Sequence, residues 1–201
     1  MLVLVVACST QEPQEPALPD ILLVQMQDFD KSETDSLVNY LKMQHGLDVK
    51  WIGPLDFQPV MYVPARDQYL AGELARVAMN VVRNKGVDAQ STTVIVLTHK
   101  DINSREFRLR YLMAAHFEEN NVSVVSTARI DPVNYGQPSD RQLTRERLHK
   151  LINKSIGLHH YGYPMSRDMK SVMFGPVGSP QELDQVGDWY AEVDAAEAVT
   201  L

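Results

Sequence analysis

The chain has 201 residues, of which 44% are apolar and 22% are charged, a composition typical of a folded globular protein of about one domain. Nineteen basic and 26 acidic residues give a formal net charge of -7, which argues against a protein whose main role is to bind nucleic acid. The sequence contains one cysteine, Cys8, so an internal disulfide, a CxxC zinc site and an iron–sulfur cluster are excluded.

Residues 1–8 and 9–20 have the composition of an export signal followed by a tether. The first seven residues are an unbroken apolar run, and residues 9–20 are polar, acidic and proline-rich. Residues 5–8 (VVAC) resemble a bacterial lipobox, in which the cysteine carries lipid. The resemblance implies an exported, cell-envelope lipoprotein held at the membrane by a lipid on Cys8. If this segment is not a signal, the protein is expected to be soluble, because so short a run cannot span a bilayer.

Strand and helix patterns alternate in the first half of the chain. Short apolar runs predict buried strands over residues 21–25, 49–52 and 93–98. Helices are expected between these strands, from Ser32 to Gly46 and over a long amphipathic segment that opens with Arg66, Gln68 and Tyr69 and ends near Gly86. This alternation indicates a mostly parallel sheet that is covered by helices.

The second half of the chain predicts an edge hairpin and a third helix. Strand-like runs over residues 107–116 and 122–126 flank a polar turn, a pattern that favours an antiparallel hairpin at one sheet edge. The third helix is expected to start near Asp140 and to run to Ile156, with Gly157 as its stop. His99 and His116 lie near strand ends, and we expect both on the surface.

Six short motifs occur in the order and spacing of archaemetzincins, and together they cover roughly residues 21–175. They are residues 64–70 (PARDQYL), Thr98 with Asp101-Ile102, residues 124–129 (VVSTAR), Tyr135-Gly136, residues 157–160 (GLHH) and residues 171–173 (SVM). The chain thus resembles this family of zinc metallopeptidases of the metzincin type. The matched positions Arg66, Gln68, Tyr69, Arg129 and Gly157 are expected to be structural.

The resemblance implies an α/β fold of metzincin type. Its parts are a twisted mixed sheet whose edge strand receives substrate, an antiparallel edge hairpin, two covering helices and a former active-site helix. Met173 is expected in the methionine turn beneath the metal position. The implied organisation is a signal over residues 1–8, a tether over 9–20, the archaemetzincin-like domain over 21–175 and a C-terminal extension over 176–201.

The zinc motif of the family, HExxHxxGxxH followed by cysteine, is largely replaced in this chain. In that motif, two imidazoles at i and i+4 of a helix bind the ion, and the glutamate is the general base. Aligned on Gly157, the three ligand positions fall on Lys150, Lys154 and His160, and the glutamate position falls on Leu151. Two further positions at which the family has cysteine are Tyr161 and Ser171.

Protonated lysine has no free lone pair for zinc and repels it. Two unit charges about 4 Å apart interact by roughly 4 kcal/mol at an effective dielectric near 20. We therefore predict that the chain has no catalytic residue, no bound metal and no cofactor.

Three functions stay open on this basis. The first is a catalytically inactive lipoprotein whose former cleft, lined by Arg147, Lys150, Lys154 and His160, binds an anionic or peptide partner. The second is an active zinc metallopeptidase with a displaced ligand set of His149, His159 and His160. The third is an envelope scaffold with an idle cleft.

The C-terminal extension bears on the first of these functions. Its acidic residues Glu182, Asp184 and Asp188 could pack over the basic helix, which would make Lys150 and Lys154 structural.

Overall fold

The computed structural model describes residues 18–88, 90–105 and 110–191. The predicted signal with Cys8, most of the predicted tether, and residues 192–201 of the predicted extension lie outside the described residues. Within the described ranges, no helix combines the length and apolar character needed to cross a bilayer.

Eight strands and four α-helices make up the described chain. The strands are β1 (Ile21–Met26), β2 (Val49–Leu55), β3 (Tyr62–Val63), β4 (Gln68–Leu70), β5 (Thr93–Thr98), β6 (Ile102–Asn103), β7 (Ala114–Phe117) and β8 (Val122–Ser126). The helices are α1 (Lys31–His45), α2 (Ala71–Asn84), α3 (Arg141–His159) and α4 (Pro180–Gln185).

The strands form a five-stranded sheet in the order β2-β1-β5-β8-β7 and a three-stranded sheet in the order β3-β4-β6. In the larger sheet, β1, β2, β5 and β8 pair in parallel, and β7 pairs antiparallel to β8 at the edge. The predicted α/β fold with a mixed sheet and an antiparallel edge hairpin is confirmed.

The two faces of the large sheet carry different helices, because successive side chains of a strand point to opposite faces. Leu22 and Val24 belong to the apolar cluster that contains the buried residues of α2. Ile21 and Leu23 belong to the second cluster, which contains buried residues of α1, α3 and α4. As a result, α2 is the α-helix that lies on one face, where Met61 and Ile102 also join the cluster, and α3 lies with α1 and α4 on the other.

The predicted start of the second helix is wrong. The helix α2 begins at Ala71, because Gln68 and Tyr69 belong to β4, which pairs antiparallel with β3 and parallel with β6. Arg66 lies exposed in the turn that connects β3 to β4. The helical spacing of the apolar residues conceals this short strand, because a three-residue strand has too little periodicity to be recognised.

The predicted stop of the third helix is also wrong, since α3 continues through Gly157 to His159. Gly157 allows close packing instead of ending the helix. A Cβ atom there would lie 2.8 Å from the ring of Tyr190 and in contact with the sulfur of Met173. The edge strand is shorter than predicted: β7 begins at Ala114, and residues 106–109 of the predicted strand lie outside the described part.

Candidate functional site

The polar side of α3 is buried, although it was expected to border an open cleft. The helix begins after Asp140, whose side chain accepts a hydrogen bond from the Leu143 amide at 2.9 Å. Three basic residues further along the helix, Arg147, Lys150 and Lys154, are only 5%, 9% and 8% exposed. Residues 183–190, which we call the C-terminal strap, cover much of this side of the helix.

Lys150 fastens the C-terminal strap to α3. Its ammonium donates to the main-chain carbonyls of Leu183 at 3.2 Å, Asp184 at 3.3 Å and Val186 at 2.6 Å. The carboxylate of Asp188, which is largely exposed, lies 3.4 Å from the same ammonium. All of these partners are oxygen atoms from one short segment, so Lys150 acts as an internal cross-link.

Arg147 makes a second connection to the strap. Its guanidinium donates from Nε and Nη2 to the two carboxylate oxygens of Asp184, both at 2.7 Å, and from Nη1 to the Ile130 carbonyl at 2.7 Å. This bidentate bond raises the pKa of Arg147. The structure therefore corrects the expected placement of Arg147 and Lys150 in an electropositive cleft, because their charges are satisfied within the chain.

Lys154 points to the loop that contains Met173. Its ammonium donates to the Phe174 carbonyl at 2.7 Å, and burial lowers the pKa of Lys154 to about 8. Met173 is fully buried and packs beneath α3 at Gly157. The predicted methionine turn thus contacts α3 at Gly157, where the absence of a side chain permits the close approach of Met173.

The residues at these positions of α3 do not fit a zinc ion. Lys150 and Lys154 both serve as hydrogen-bond donors to carbonyl oxygens, and Leu151 has no polar side-chain atom. Across the described ranges, no group of three His, Cys, Asp or Glu side chains is arranged to hold a metal ion.

The displaced ligand set is not brought together. The ring of His149 stacks on Tyr40 at a centroid distance of 3.6 Å, and burial lowers its pKa to about 4. His159 lies against Ser123, with Nε2 2.9 Å from the serine hydroxyl, whereas the ring of His160 meets the ring of Tyr161 edge-on at 4.9 Å. The three imidazoles face three different neighbours.

His116 and His159 share the hydroxyl of Ser123, and sequence reasoning missed this pairing. His116 lies opposite Ser123 in the β7–β8 ladder, with Nδ1 2.8 Å from the hydroxyl. Burial, together with the nearby charge of Lys154, lowers the pKa of His116 to about 3, and burial lowers that of His159 to about 4. The expectation that His116 lies on the surface is therefore wrong. Strand alternation would not have revealed the position of His116, because Ala115 and Phe117 form the more apolar face of β7 and His116 lies on the other face with the partly buried Ala114.

Several matched motif residues form one polar network at the end of the sheet. Arg129 makes a bidentate contact with the Asp101 carboxylate, and its guanidinium stacks over the Tyr111 ring at 4.7 Å. Gln68 donates to the same carboxylate at 2.8 Å and to the Arg110 carbonyl at 2.8 Å. These bonds join the small sheet to the segment that follows β8.

The outer edge of β7 offers unpaired main-chain groups. The Ser126 amide donates to the Met113 carbonyl at 2.9 Å, and in an antiparallel ladder such bonded pairs alternate with pairs whose main-chain groups point away. Leu112 belongs to a pair of the second kind, because its amide points away from β8 and donates to the Ile102 carbonyl at 2.9 Å. The main-chain groups of Ala114 and His116, two and four residues further on, point in the same direction, away from β8. Within the described chain, no strand pairs with β7 on that side.

Sequence comparisons identify relatives among the archaemetzincins, although no family model matches the chain. The archaemetzincin of Pyrococcus furiosus is 30% identical over 133 residues, which are 65% of this chain and 66% of the relative. That of Pyrococcus horikoshii is 28% identical over 132 residues, with the same coverage. The matched region thus spans 66% of the length of each curated relative.

Three solved structures share the fold. The zinc-dependent peptidase of Methanocorpusculum labreanum superposes with a TM-score of 0.74 at 18% identity, covering 86% of this chain and 96% of the peptidase. The archaemetzincin of Archaeoglobus fulgidus, solved with malonate, gives 0.68 at 19% identity with the same coverage. The archaemetzincin of Methanopyrus kandleri gives 0.64 at 22% identity, covering 90% and 92%. The predicted resemblance is confirmed.

The comparisons correct the expected cofactor. We predicted none, and that prediction is wrong, because the sequence relatives are archaemetzincins and one protein with the same fold is a zinc-dependent peptidase. Zinc is the cofactor to which these relatives point.

Proposed function

Because the chain belongs to the archaemetzincin-like family, we propose that it is a peptidase homologue that binds an extended peptide along the outer edge of β7 and does not hydrolyse it. The proposal rests on the alignment with the family motif, which puts Lys150 and Lys154 at ligand positions and Leu151 at the general-base position. The observation that supports it is that both ammonium groups are bound to main-chain carbonyls.

The absence of hydrolysis follows from the side chain at the general-base position. Hydrolysis by a metallopeptidase needs a group that takes a proton from the attacking water within hydrogen-bond reach. Leu151 has no atom that can accept a proton, and its side chain is 5% exposed within the apolar cluster beneath α3. This argument does not depend on the metal content of the protein.

A peptide suits the site better than an anionic partner. The guanidinium of Arg147 is already paired with Asp184, and the ammonium of Lys150 is surrounded by strap oxygens. The unsatisfied groups lie instead on the main chain of β7, at Ala114 and His116. An extended peptide adds to such an edge through main-chain hydrogen bonds.

The proposal can be tested with an Ala114→Pro variant. Proline removes the outward amide of residue 114 and leaves the amides that pair with β8, so the sheet should stay intact. Ala114→Ser retains the amide and is the matched control. The reduced and alkylated B chain of insulin serves as an unfolded peptide probe, with binding followed by fluorescence anisotropy and cleavage by mass spectrometry.

We expect the unmodified protein to bind the probe and to leave it uncleaved, with and without added zinc. Ala114→Pro should weaken binding about fivefold, the equivalent of one hydrogen bond of about 1 kcal/mol, and Ala114→Ser should not. Equal binding of the probe by both variants would show that the outer edge of β7 is not the binding site. Cleavage that a chelator blocks would favour the alternative function, a zinc metallopeptidase with a displaced ligand set.

A further inference from the structure

A small cavity lies between α2 and the β7–β8 hairpin, on the sheet face opposite α3. Its volume is about 130 Å³. The floor is apolar and consists of Ala75, Met79, Phe117 and Val122, whereas Arg76 and Arg83 line it with charged groups. None of these residues belongs to α3 or to the C-terminal strap. Phe117 is the last residue of β7, and its side chain packs on the α2 side of the sheet, away from α3.

The sequence of α2 produces the cavity directly. Gly72, Ala75, Met79 and Arg83 follow one another at intervals of three or four residues and therefore share one helix face. Gly72 has no side chain to fill the space beside Phe117, whose ring carbons lie 4.0 Å from the place that a Cβ atom would take. The small residues Gly72 and Ala75 leave an apolar space at one end of this face. Arg76 and Arg83 along the helix place positively charged groups beside that space.

The two guanidinium groups differ in their surroundings. Arg76 donates through Nε to the Glu73 carboxylate at 2.8 Å, so its charge is already paired within α2. Arg83 is exposed, and its side chain makes no hydrogen bond or ion pair with any residue that the structure describes. Arg83 is therefore the group that has its full donor capacity left for a ligand.

We propose that this cavity binds a small free carboxylic acid with an aromatic or branched apolar body. An enclosed apolar cavity of about 150 Å³ takes benzene. This cavity is smaller, at about 130 Å³, and open to solvent at Arg83, so it can hold part of such a body while the charged end stays outside. Guanidinium groups recognise carboxylates through paired hydrogen bonds, so the charged end of the acid is placed at Arg83.

Phenylacetate is a suitable probe, and phenylacetamide is its neutral counterpart. Titration of the isotope-labelled protein, followed by amide chemical shifts, should localise phenylacetate to residues 72–83 and 117–122, with a Kd of about 1 mM. Phenylacetamide should bind at least about tenfold more weakly, because it lacks the charge-assisted hydrogen bond.

Three variants make the test specific. Arg83→Gln should weaken phenylacetate binding about tenfold, whereas Lys85→Gln, which removes a neighbouring exposed charge outside the cavity lining, should not. Gly72→Ala adds a methyl group to the cavity wall at an ordinary contact distance, so it should keep the fold and reduce binding. Ala114→Pro should leave phenylacetate binding unchanged, which separates this test from that of peptide binding.

The proposal is overturned if phenylacetate produces no localised shifts, if phenylacetamide binds equally well, or if Arg83→Gln and Lys85→Gln behave alike. Tighter binding of a peptide that ends in a free phenylalanine carboxylate, at the same residues, would also overturn it in favour of a peptide C-terminus.

Discussion

Replacing Lys150 by methionine tests whether the ammonium holds the C-terminal strap on α3. The substitution keeps an unbranched side chain of similar length and removes the charge. The carbonyls of Leu183, Asp184 and Val186 lose their shared donor, and Asp188 loses the cation 3.4 Å away. The strap should then separate from the helix more readily.

The expected loss follows from the contact distances. The 2.6 Å bond to Val186 is the short one, and the bonds to Leu183 and Asp184 are longer, at 3.2 and 3.3 Å. One strong bond from a charged donor is worth about 1.5–3 kcal/mol, and a buried carbonyl left without a donor costs about 1–3 kcal/mol. Methionine no longer buries a charge, which offsets part of this loss. We expect a net loss of about 3 kcal/mol, or a Tm lower by roughly 6–12 °C for a domain of this size.

Urea unfolding and amide hydrogen exchange measure the effect. Arg145→Met is the matched control, because Arg145 is an exposed cation on the same helix, and it should change stability by no more than about 0.5 kcal/mol. In Lys150→Met, the strap amides should exchange faster, whereas in the control they should not. A loss below about 1 kcal/mol with unchanged strap exchange would refute the cross-link, because it would mean that the cost of burying the ammonium equals what its bonds contribute.

Three further predictions concern pH, packing and attachment. The folded pKa values of His116 and His159, about 3 and about 4, lie below the unfolded value, so the unfolded state binds protons first and stability should fall as the pH drops below about 6.5. The free energy of unfolding should fall by on the order of 2 kcal/mol per histidine at pH 4.5. His116→Asn should therefore make the unfolding free energy, measured with urea, depend less on pH. An unchanged pH dependence would contradict the burial of this imidazole. Gly157→Ala should lower the unfolding free energy by about 1–3 kcal/mol, because the added methyl group meets Met173 and Tyr190, and a neutral effect by calorimetry would show that the loop moves aside freely. We propose that Cys8 carries lipid, so Cys8→Ser should move the protein from the membrane to the soluble fraction in a bacterial host, and an unchanged distribution would count against the lipobox.

The sequence by itself determined the elements whose signals are local. Continuous apolar runs identify β1 and β5 because both faces of these strands are buried, and the polar turn after Phe117 identifies the antiparallel hairpin. Asp140 marks the start of α3 because a short acidic side chain can cap the first free amides of a helix. The resemblance to the family motif, carried by short sequence motifs, likewise implies that Lys150 and Leu151 stand at a ligand position and the general-base position.

Only the tertiary structure decided the role of the basic side chains that stand at the motif positions of α3. From the sequence, the basic side of α3 could be solvated, bind a ligand or pair with acidic residues of the extension. The structure shows the last of these, with Arg147 bonded to Asp184, 37 residues away in the chain. The pairing of His116 with His159 through Ser123 and the placement of Gln68 in a short strand depend on contacts of the same kind. Residue spacing carries information about neighbours within one helix or strand, whereas the partner of a buried charge is set by which distant segment packs over it. For this protein, that segment is the C-terminal strap.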